Sequence, residues 1–232
     1  MKIAVMSDIH GNIYALMKTL EDIDEQNVDK IICLGDLVGY GPHPNEVVAL
    51  IKRREIPCVK GNYDASVVDG DFTYIRNTAI NSFALPWACE EVRVANKYYL
   101  DSLPTSLKYT FNSVNMLLTH GSPNAINDYL FEDDEKTKEI MSQYEGDVLV
   151  CAHTHIPFAK KYNNKLLINV GSVGKPKIGK PNPTYALIEI NDNGEVKVTF
   201  KYLEYEYKRI MKDCTMLNFP NSITSSYETG KE

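Results

Sequence analysis

Five short polar segments carry the residues best able to do chemistry: Asp8-Ile9-His10, Gly35-Asp36, Gly61-Asn62-Tyr63-Asp64, Thr119-His120-Gly121 and His153-Thr154-His155. Four of the five histidines fall in these segments, and only His43 lies elsewhere. A single loop histidine is ordinarily a hydrogen-bonded side chain and nothing more. Four of them in like settings, beside two aspartates and an asparagine, point to metal. Imidazole, carboxylate and amide carbonyl make a borderline-to-hard donor set that suits manganese, iron or zinc without thiolates. Asp8, His10, Asp36, Asn62, His120, His153 and His155 are seven donors, more than one tetrahedral ion takes. Two divalent ions are therefore expected, with manganese ahead of iron or zinc. Such a pair, about 3.5–4 Å apart, clamps a phosphoryl group and activates a water. No G-x-x-x-x-G-K-[ST] loop and no H-E-x-x-H helix competes with this reading, and glycine-dense 171–179 is not a dinucleotide fingerprint.

Each polar segment follows a stretch that reads as a strand. Residues 2–7, 30–34 and 56–60 are short apolar runs. Between them lie two helical stretches: 12–27, capped by Asn12 with Leu16, Leu20 and Ile23 on one stripe, and 44–54, with Val47, Val48 and Ile51 inward. Strand–helix alternation implies parallel pairing and right-handed crossovers. Residues 77–103 read as helical, with Trp87 and the nearby tyrosines as packing groups. Strands are then expected at 107–111, 114–118, 148–151, 165–170, 185–190 and 196–202, the last two joined at Asn193-Gly194. The charged stretch 132–144 reads as an exposed helix. The predicted architecture is α/β, a four-layer α-β-β-α sandwich of two mixed sheets. Residues 1–232 form one domain, with a polar, frayed tail at about 220–232. Loops at strand carboxyl ends converge above such sheets, so the polar segments are expected to meet there.

A chain of 232 residues buries roughly 70% of its unfolded surface and needs no disulfide or structural metal to fold. With 25 basic and 31 acidic side chains the net charge is −6, which disfavours stable nucleic-acid binding. A hydrophobic content of 44% excludes disorder. No apolar run approaches the ~18 residues of a membrane span, nor a signal-peptide core. Five scattered cysteines without a C-x-x-C pair fit reduced thiols and a cytoplasmic location. The expected partner is a small phosphorylated or nucleotide substrate, with no membrane. Homo-oligomerisation stays open.

Taken in order, D-x-H, G-D, G-N-x-D, a lone histidine after a strand and H-x-H resemble the calcineurin-like metallophosphoesterase superfamily over about residues 1–200. The likeness is greatest to its small prokaryotic phosphodiesterases and diadenosine polyphosphate hydrolase-like members. It implies that Asp8, His10 and His155 hold one ion, that Asn62, His120 and His153 hold the other, and that Asp36 bridges them. It also implies in-line attack by water on a phosphodiester or phosphoanhydride, with Asp36, Asn62, His120, Tyr63 and Asp64 as catalytic residues. The alternative is a catalytically silent scaffold of the same fold; a decayed site would have lost ligands, and here every position is filled.

Two departures stand out. Tyr63 occupies a place where the family often carries a histidine that protonates the leaving group. A phenol titrates near 10, so Tyr63 either donates a hydrogen bond or only packs. Loss of a general acid usually forfeits about 10²–10⁴ in rate where the leaving group needs a proton. That tilts the expected substrate toward phosphoanhydrides and activated diesters. Ala152 stands where glycine commonly precedes H-x-H, a small change. Lys175 and Lys177 read either as a phosphate-contacting rim or as solvated loop lysines. His43 reads as a loop residue within range of substrate.

Overall fold

The computed structural model describes residues 1–231. Strand β1 (Lys2–Met6) leads into α1 (Ile13–Glu25), β2 (Lys30–Cys33) and α2 (Pro44–Arg53). Three helices follow: α3 (Asn62–Asp69), α4 (Ala79–Glu91) and α5 (Val94–Ser102). Next come β3 (Ser106–Phe111), β4 (Val114–Thr119), α6 (Glu135–Gln143) and β5 (Val148–Cys151). The chain ends with β6 (Phe158–Tyr162), β7 (Lys165–Asn169), β8 (Thr184–Ile190), β9 (Val196–Tyr202), α7 (Tyr207–Met216) and α8 (Asn221–Thr229).

The strands form two mixed sheets, ordered β2-β1-β8-β9 and β3-β4-β5-β7-β6. β1 runs parallel to β2, and β4 runs parallel to β5, which is parallel to β7. Side-chain alternation along each strand sets the layers. Ile3 and Val5 of β1 pack with Ile32 and Ile188 against Leu118, Val148, Val150 and Ile168 of the other sheet. Ala4 and Met6, pointing the opposite way, meet Leu16, Leu20, Val47 and Ile51 from α1 and α2. On the far face of the second sheet, Leu149, Cys151 and Leu167 bury Ile140 and Met141 of α6. The result is the predicted helix–sheet–sheet–helix sandwich. Asn12 Oδ1 accepts the N–H of Ala15 at 3.1 Å, capping α1 as expected. Trp87 packs edge-on against Phe219, centroids 4.7 Å apart, which bears out its packing role.

Four local expectations need correction. Residues 56–60 make only one parallel bridge, Cys33 to Cys58. Pro57 has no N–H for a ladder, so the segment lies along β2 without becoming a strand. The helix expected at 132–144 is shorter and half-buried, since Thr137, Ile140 and Met141 form an inward stripe. Over the described residues 220–231 the tail is not frayed, residue 232 lying outside them: Ile223 and Tyr227, one turn apart in α8, are buried in the helix-side core, and Gly230 ends the helix in the left-handed region. Burying such side chains is worth about 1.5–3 kcal/mol each, enough to hold a short helix whose other residues are polar. Finally, G-N-Y-D opens α3 rather than lying in a loop.

Candidate metal centre

The parallel strands of both sheets deliver their carboxyl ends to one place. Asp8 and His10 follow β1, Asp36 follows β2, His120 follows β4, and His153 and His155 follow β5. Asn62 is the first residue of α3. The turns that follow the strands are unusual in backbone. Asp8, His10, Asp36, His153 and His155 all have positive φ, between 48° and 65°. Non-glycine residues there cost of order 1–3 kcal/mol each and cluster at functional sites. Tight approaches hold these turns. A Cβ on Gly174 would stand 1.7 Å from the Ile9 carbonyl oxygen, and one on Gly61 would stand 2.1 Å from Asp36 Oδ1.

The donors converge in two groups, Asp8 with His10 and His155, and Asp36 with His120 and His153. Each carboxylate spends one oxygen on backbone. Asp8 Oδ2 accepts the His153 N–H at 3.2 Å, and Asp36 Oδ1 accepts the Tyr63 N–H at 2.8 Å. The other oxygens, Asp8 Oδ1 and Asp36 Oδ2, are buried and have no aligned hydrogen-bond partner among the described residues. Asp8 Oδ1 stands 3.2 Å from His155 Nε2 and 3.7 Å from His10 Nε2. Asp36 Oδ2 stands 3.6 Å from His10 Nε2 and 3.4 Å from His120 Nε2, so it faces both groups. Asn62 Oδ1 lies 2.9 Å from His120 Nε2. The imidazoles are aimed from behind: Nδ1 of His10 meets the Val38 carbonyl at 3.0 Å, that of His120 the Leu34 carbonyl at 2.8 Å, and that of His155 the Lys175 carbonyl. Such backing fixes the tautomer and presents Nε2 to a metal. Buried carboxylate oxygens without an aligned hydrogen bond, facing inward ring nitrogens, fit divalent cations.

Protonation without a cation shows the same demand. Burial alone would lower His120, but Asp36 and Asp8 outweigh it and push its pKa up to about 10. Burial, with the charge on His120, pulls His153 down to about 3, and burial pulls His155 down to about 4. Burial would raise both carboxyls, yet the surrounding imidazoles hold Asp8 and Asp36 below the usual carboxylate range. A buried negative pair thus recruits a proton onto one imidazole and leaves two neutral, the state in which histidine ligates.

A sequence model of the calcineurin-like phosphoesterase superfamily domain matches residues 1–193. The chain belongs to that superfamily. Over 224 residues it is 34% identical to the uncharacterized protein MJ0912 of Methanocaldococcus jannaschii, covering 89% of each chain. Over 209 residues it is 27% identical to phosphodiesterase YfcE of Escherichia coli, covering 83% of this chain and 94% of that one. Among solved structures, a metallophosphoesterase from Sphaerobacter thermophilus superposes with a TM-score of 0.83 at 26% identity, covering 99% of both chains.

This calcineurin-like phosphoesterase departs from the family pattern at Tyr63, and the structure shows what the phenol does. Tyr63 Oη is 2.6 Å from Asn81 Oδ1, which can only accept, so Tyr63 donates there and accepts from Tyr40 Oη. Burial, then Tyr40, pushes the Tyr63 phenol well above its ordinary 10. Its ring edge packs on His10, centroids 4.9 Å apart. Asp64 is fully buried and accepts N–H groups from Gly61, Asp36, Leu37 and Val38, so it positions the Asp36 loop. Burial, then the Asp36 charge, raises the Asp64 carboxyl to about 6.

The cleft over the cluster is narrow, about 10 Å³, room for roughly one water. Lys177 lines it together with Tyr63, Asn62, His153 and His155. Lys175 does not: it is 2% exposed, with Nζ 4.6 Å from the Tyr40 ring centre. His43 is also elsewhere, its Nε2 2.9 Å from Asp213 Oδ2 and its ring edge-on to Tyr14. Tyr40, Ile75, Arg76, Asn81 and Tyr129 complete the lining and were not among the expected residues. Tyr129 packs 4.1 Å from the His153 ring, and the Arg76 guanidinium sits 4.9 Å from the Tyr129 ring centre. Tyr40 alone carried a signal, since it lies in the segment after Asp36. No helix among the described residues is long and apolar enough to cross a membrane.

Proposed function

We propose that residues 1–232 work as one domain, a dinuclear metal-dependent phosphoesterase cleaving phosphodiester or phosphoanhydride bonds of nucleotide-type substrates. The observation that carries this is Asp36 Oδ2, buried without an aligned hydrogen bond and 3.6 Å and 3.4 Å from ring nitrogens of the two donor groups. In this reading Asp8, His10 and His155 hold one ion, Asn62, His120 and His153 the other, and Asp36 touches both. When bound, two divalent ions, manganese first and iron or zinc next, would neutralise phosphoryl charge and lower the pKa of a water. The chain's own part is to aim the donors, to keep Asp36 in place through Asp64, and to exclude bulk water through the narrow cleft. Lys177, on the cleft wall, is placed to meet a phosphate oxygen.

Tyr63 supports the choice of substrate. Its proton is held by Asn81 and its phenol is raised well above 10, so it is a poor acid for an alkoxide. Phosphate leaves an anhydride as a stable anion and needs no such help. All five cysteines are free, which supports a reducing compartment, the cytoplasm.

The test uses protein stripped with chelator and then given manganese, iron or zinc. A bis-aryl phosphodiester, a dinucleoside polyphosphate, a cyclic nucleotide and an alkyl phosphomonoester form the panel. The proposal requires activity only with added metal, with diester and anhydride ahead of the alkyl monoester. No hydrolysis with any ion, or the alkyl monoester as the preferred substrate, contradicts it.

A further inference from the structure

A second depression adjoins the metal cleft. It has a volume of 410 Å³, and its lining includes Asp71, Phe72, Ile75, Arg76, Asn81 and Leu85. Ile75, Arg76 and Asn81 line both spaces, so they form a shared wall. Resting on the phosphoesterase reading above, we propose that this groove is a subsite for a flat, nucleobase-sized aromatic group of the substrate, with Arg76 at its threshold contacting a phosphate oxygen.

Size argues first. The cleft over the cluster holds about 10 Å³, so an organic group on the scissile phosphate must lie outside it. The groove, at 410 Å³, falls at the small end of the about 300–1,000 Å³ of small-molecule sites. Two other surface depressions, of 660 Å³ near β3 and α6 and of 600 Å³ near Tyr14 and Arg209, include none of the metal-cluster residues.

Chemistry argues next. Phe72 is 41% exposed, an aromatic surface ready to stack, and Ile75 and Leu85 give the groove an apolar floor. Aromatic stacking tolerates any base because every base has a π-face. The shared wall is anchored: buried Asn81 donates from Nδ2 to the Arg76 carbonyl at 2.8 Å while its Oδ1 accepts from Tyr63. From Arg76, contacts run through Tyr129 to His153, so a group at the threshold is beside the cluster.

Charge fixes direction. Arg76 lines both cleft and groove, whereas Asp71 lines the groove alone. A guanidinium at the cluster end matches phosphate with its planar fork. Asp71, whose carboxylate oxygens accept the backbone N–H and hydroxyl of Thr73, puts negative charge in the groove alone and repels phosphate from it. A nucleotide therefore lies with its phosphate toward Arg76 and its base toward Phe72.

The test compares AMP with ribose 5-phosphate, which carries an anomeric hydroxyl in place of the base, in equilibrium binding to the full chain by calorimetry. AMP is expected to bind about tenfold more tightly. Phe72→Ala should weaken AMP about tenfold and leave ribose 5-phosphate within twofold. Phe72→Trp, which keeps a ring, should retain the discrimination. Arg76→Ala should weaken both ligands alike. Equal binding of the two ligands to the wild type overturns the subsite, as does a Phe72→Ala variant that shifts both equally or neither. If the two ligands bind equally while the panel is hydrolysed, the subsite falls and the phosphoesterase reading stands. If AMP is preferred as described but no panel member is cleaved with any ion, the phosphoesterase reading falls instead.

Discussion

Exchanging Asp64 for asparagine changes neither volume nor shape at a fully buried position, yet it removes a charge that four backbone N–H groups share. Oδ2 accepts from Asp36 and Gly61, each at 2.9 Å, and Oδ1 accepts from Leu37 at 2.9 Å and Val38 at 3.3 Å. In Asp64→Asn one of these oxygens becomes an NH2. Whichever way the amide faces, that NH2 meets two N–H donors, and two of the four bonds are lost. Hydrogen bonds to charged groups contribute about 1.5–3 kcal/mol each. Those two bonds amount to about 3–6 kcal/mol. Against this, burial and then the Asp36 charge raise the carboxyl to about 6, so at pH 8 the charged form costs about 3 kcal/mol against an unfolded value near 3.9, a cost that the neutral amide does not carry. The net loss is about 0–3 kcal/mol, and at about 2–4 °C per kcal/mol for a chain of this length the midpoint falls by no more than roughly 12 °C. Calorimetric melts at pH 8, where the wild type is ionised, make the comparison. A midpoint raised above that of the wild type, or an unchanged melt with lost activity, would refute the positioning role.

Other outcomes follow from the same geometry. Gly174→Ala would put a methyl 1.7 Å from the Ile9 carbonyl oxygen; it should destabilise by about 1–3 kcal/mol in urea unfolding and weaken metal binding through the displaced Asp8–His10 turn. Tyr63→His supplies an imidazole where the family often has one, and should raise kcat/KM on an alkyl phosphomonoester by tenfold or more relative to an anhydride; no relative gain counts against the general-acid argument. Burial raises Asp213, but hydrogen bonds from Tyr14 and His43 outweigh it and hold the carboxyl below its usual range. A depressed carboxyl stabilises above its unfolded pKa of about 3.9 and loses that contribution as pH falls through the lower folded value. Asp213→Asn should therefore lower the melting temperature at pH 7 and converge with wild type in strong acid, read as Tm against pH.

Much of the sheet core was legible because its strands are apolar runs ending in polar turns. β6 was not: its pattern is half-buried and exposed by turns with no buried residue, as suits an edge strand carrying Lys160 and Lys161. α3 stayed hidden because its first turn carries Asn62 and Asp64, which local propensity assigns to turns. α7 and α8 were missed because each buries a narrow stripe, Ile210 with Cys214 and Ile223 with Tyr227, amid polar residues. The metal donors were legible for a chemical reason: histidine is scarce here, and four of the five lie in polar segments that follow apolar runs. Arg76 and Tyr129 carried no such mark, since they reach the cleft from connecting segments whose course depends on tertiary packing. The same holds in reverse for Lys175, whose charge suggested a rim and whose side chain instead folds inward over Tyr40.

The most direct test of the dinuclear centre is anomalous scattering from crystals of the full chain grown with manganese. Two peaks per chain are predicted, one among Asp8, His10 and His155 and one among Asn62, His120 and His153, with the Asp36 carboxylate touching both. A single peak, no peak, or an Asp36 that reaches only one ion would contradict the account.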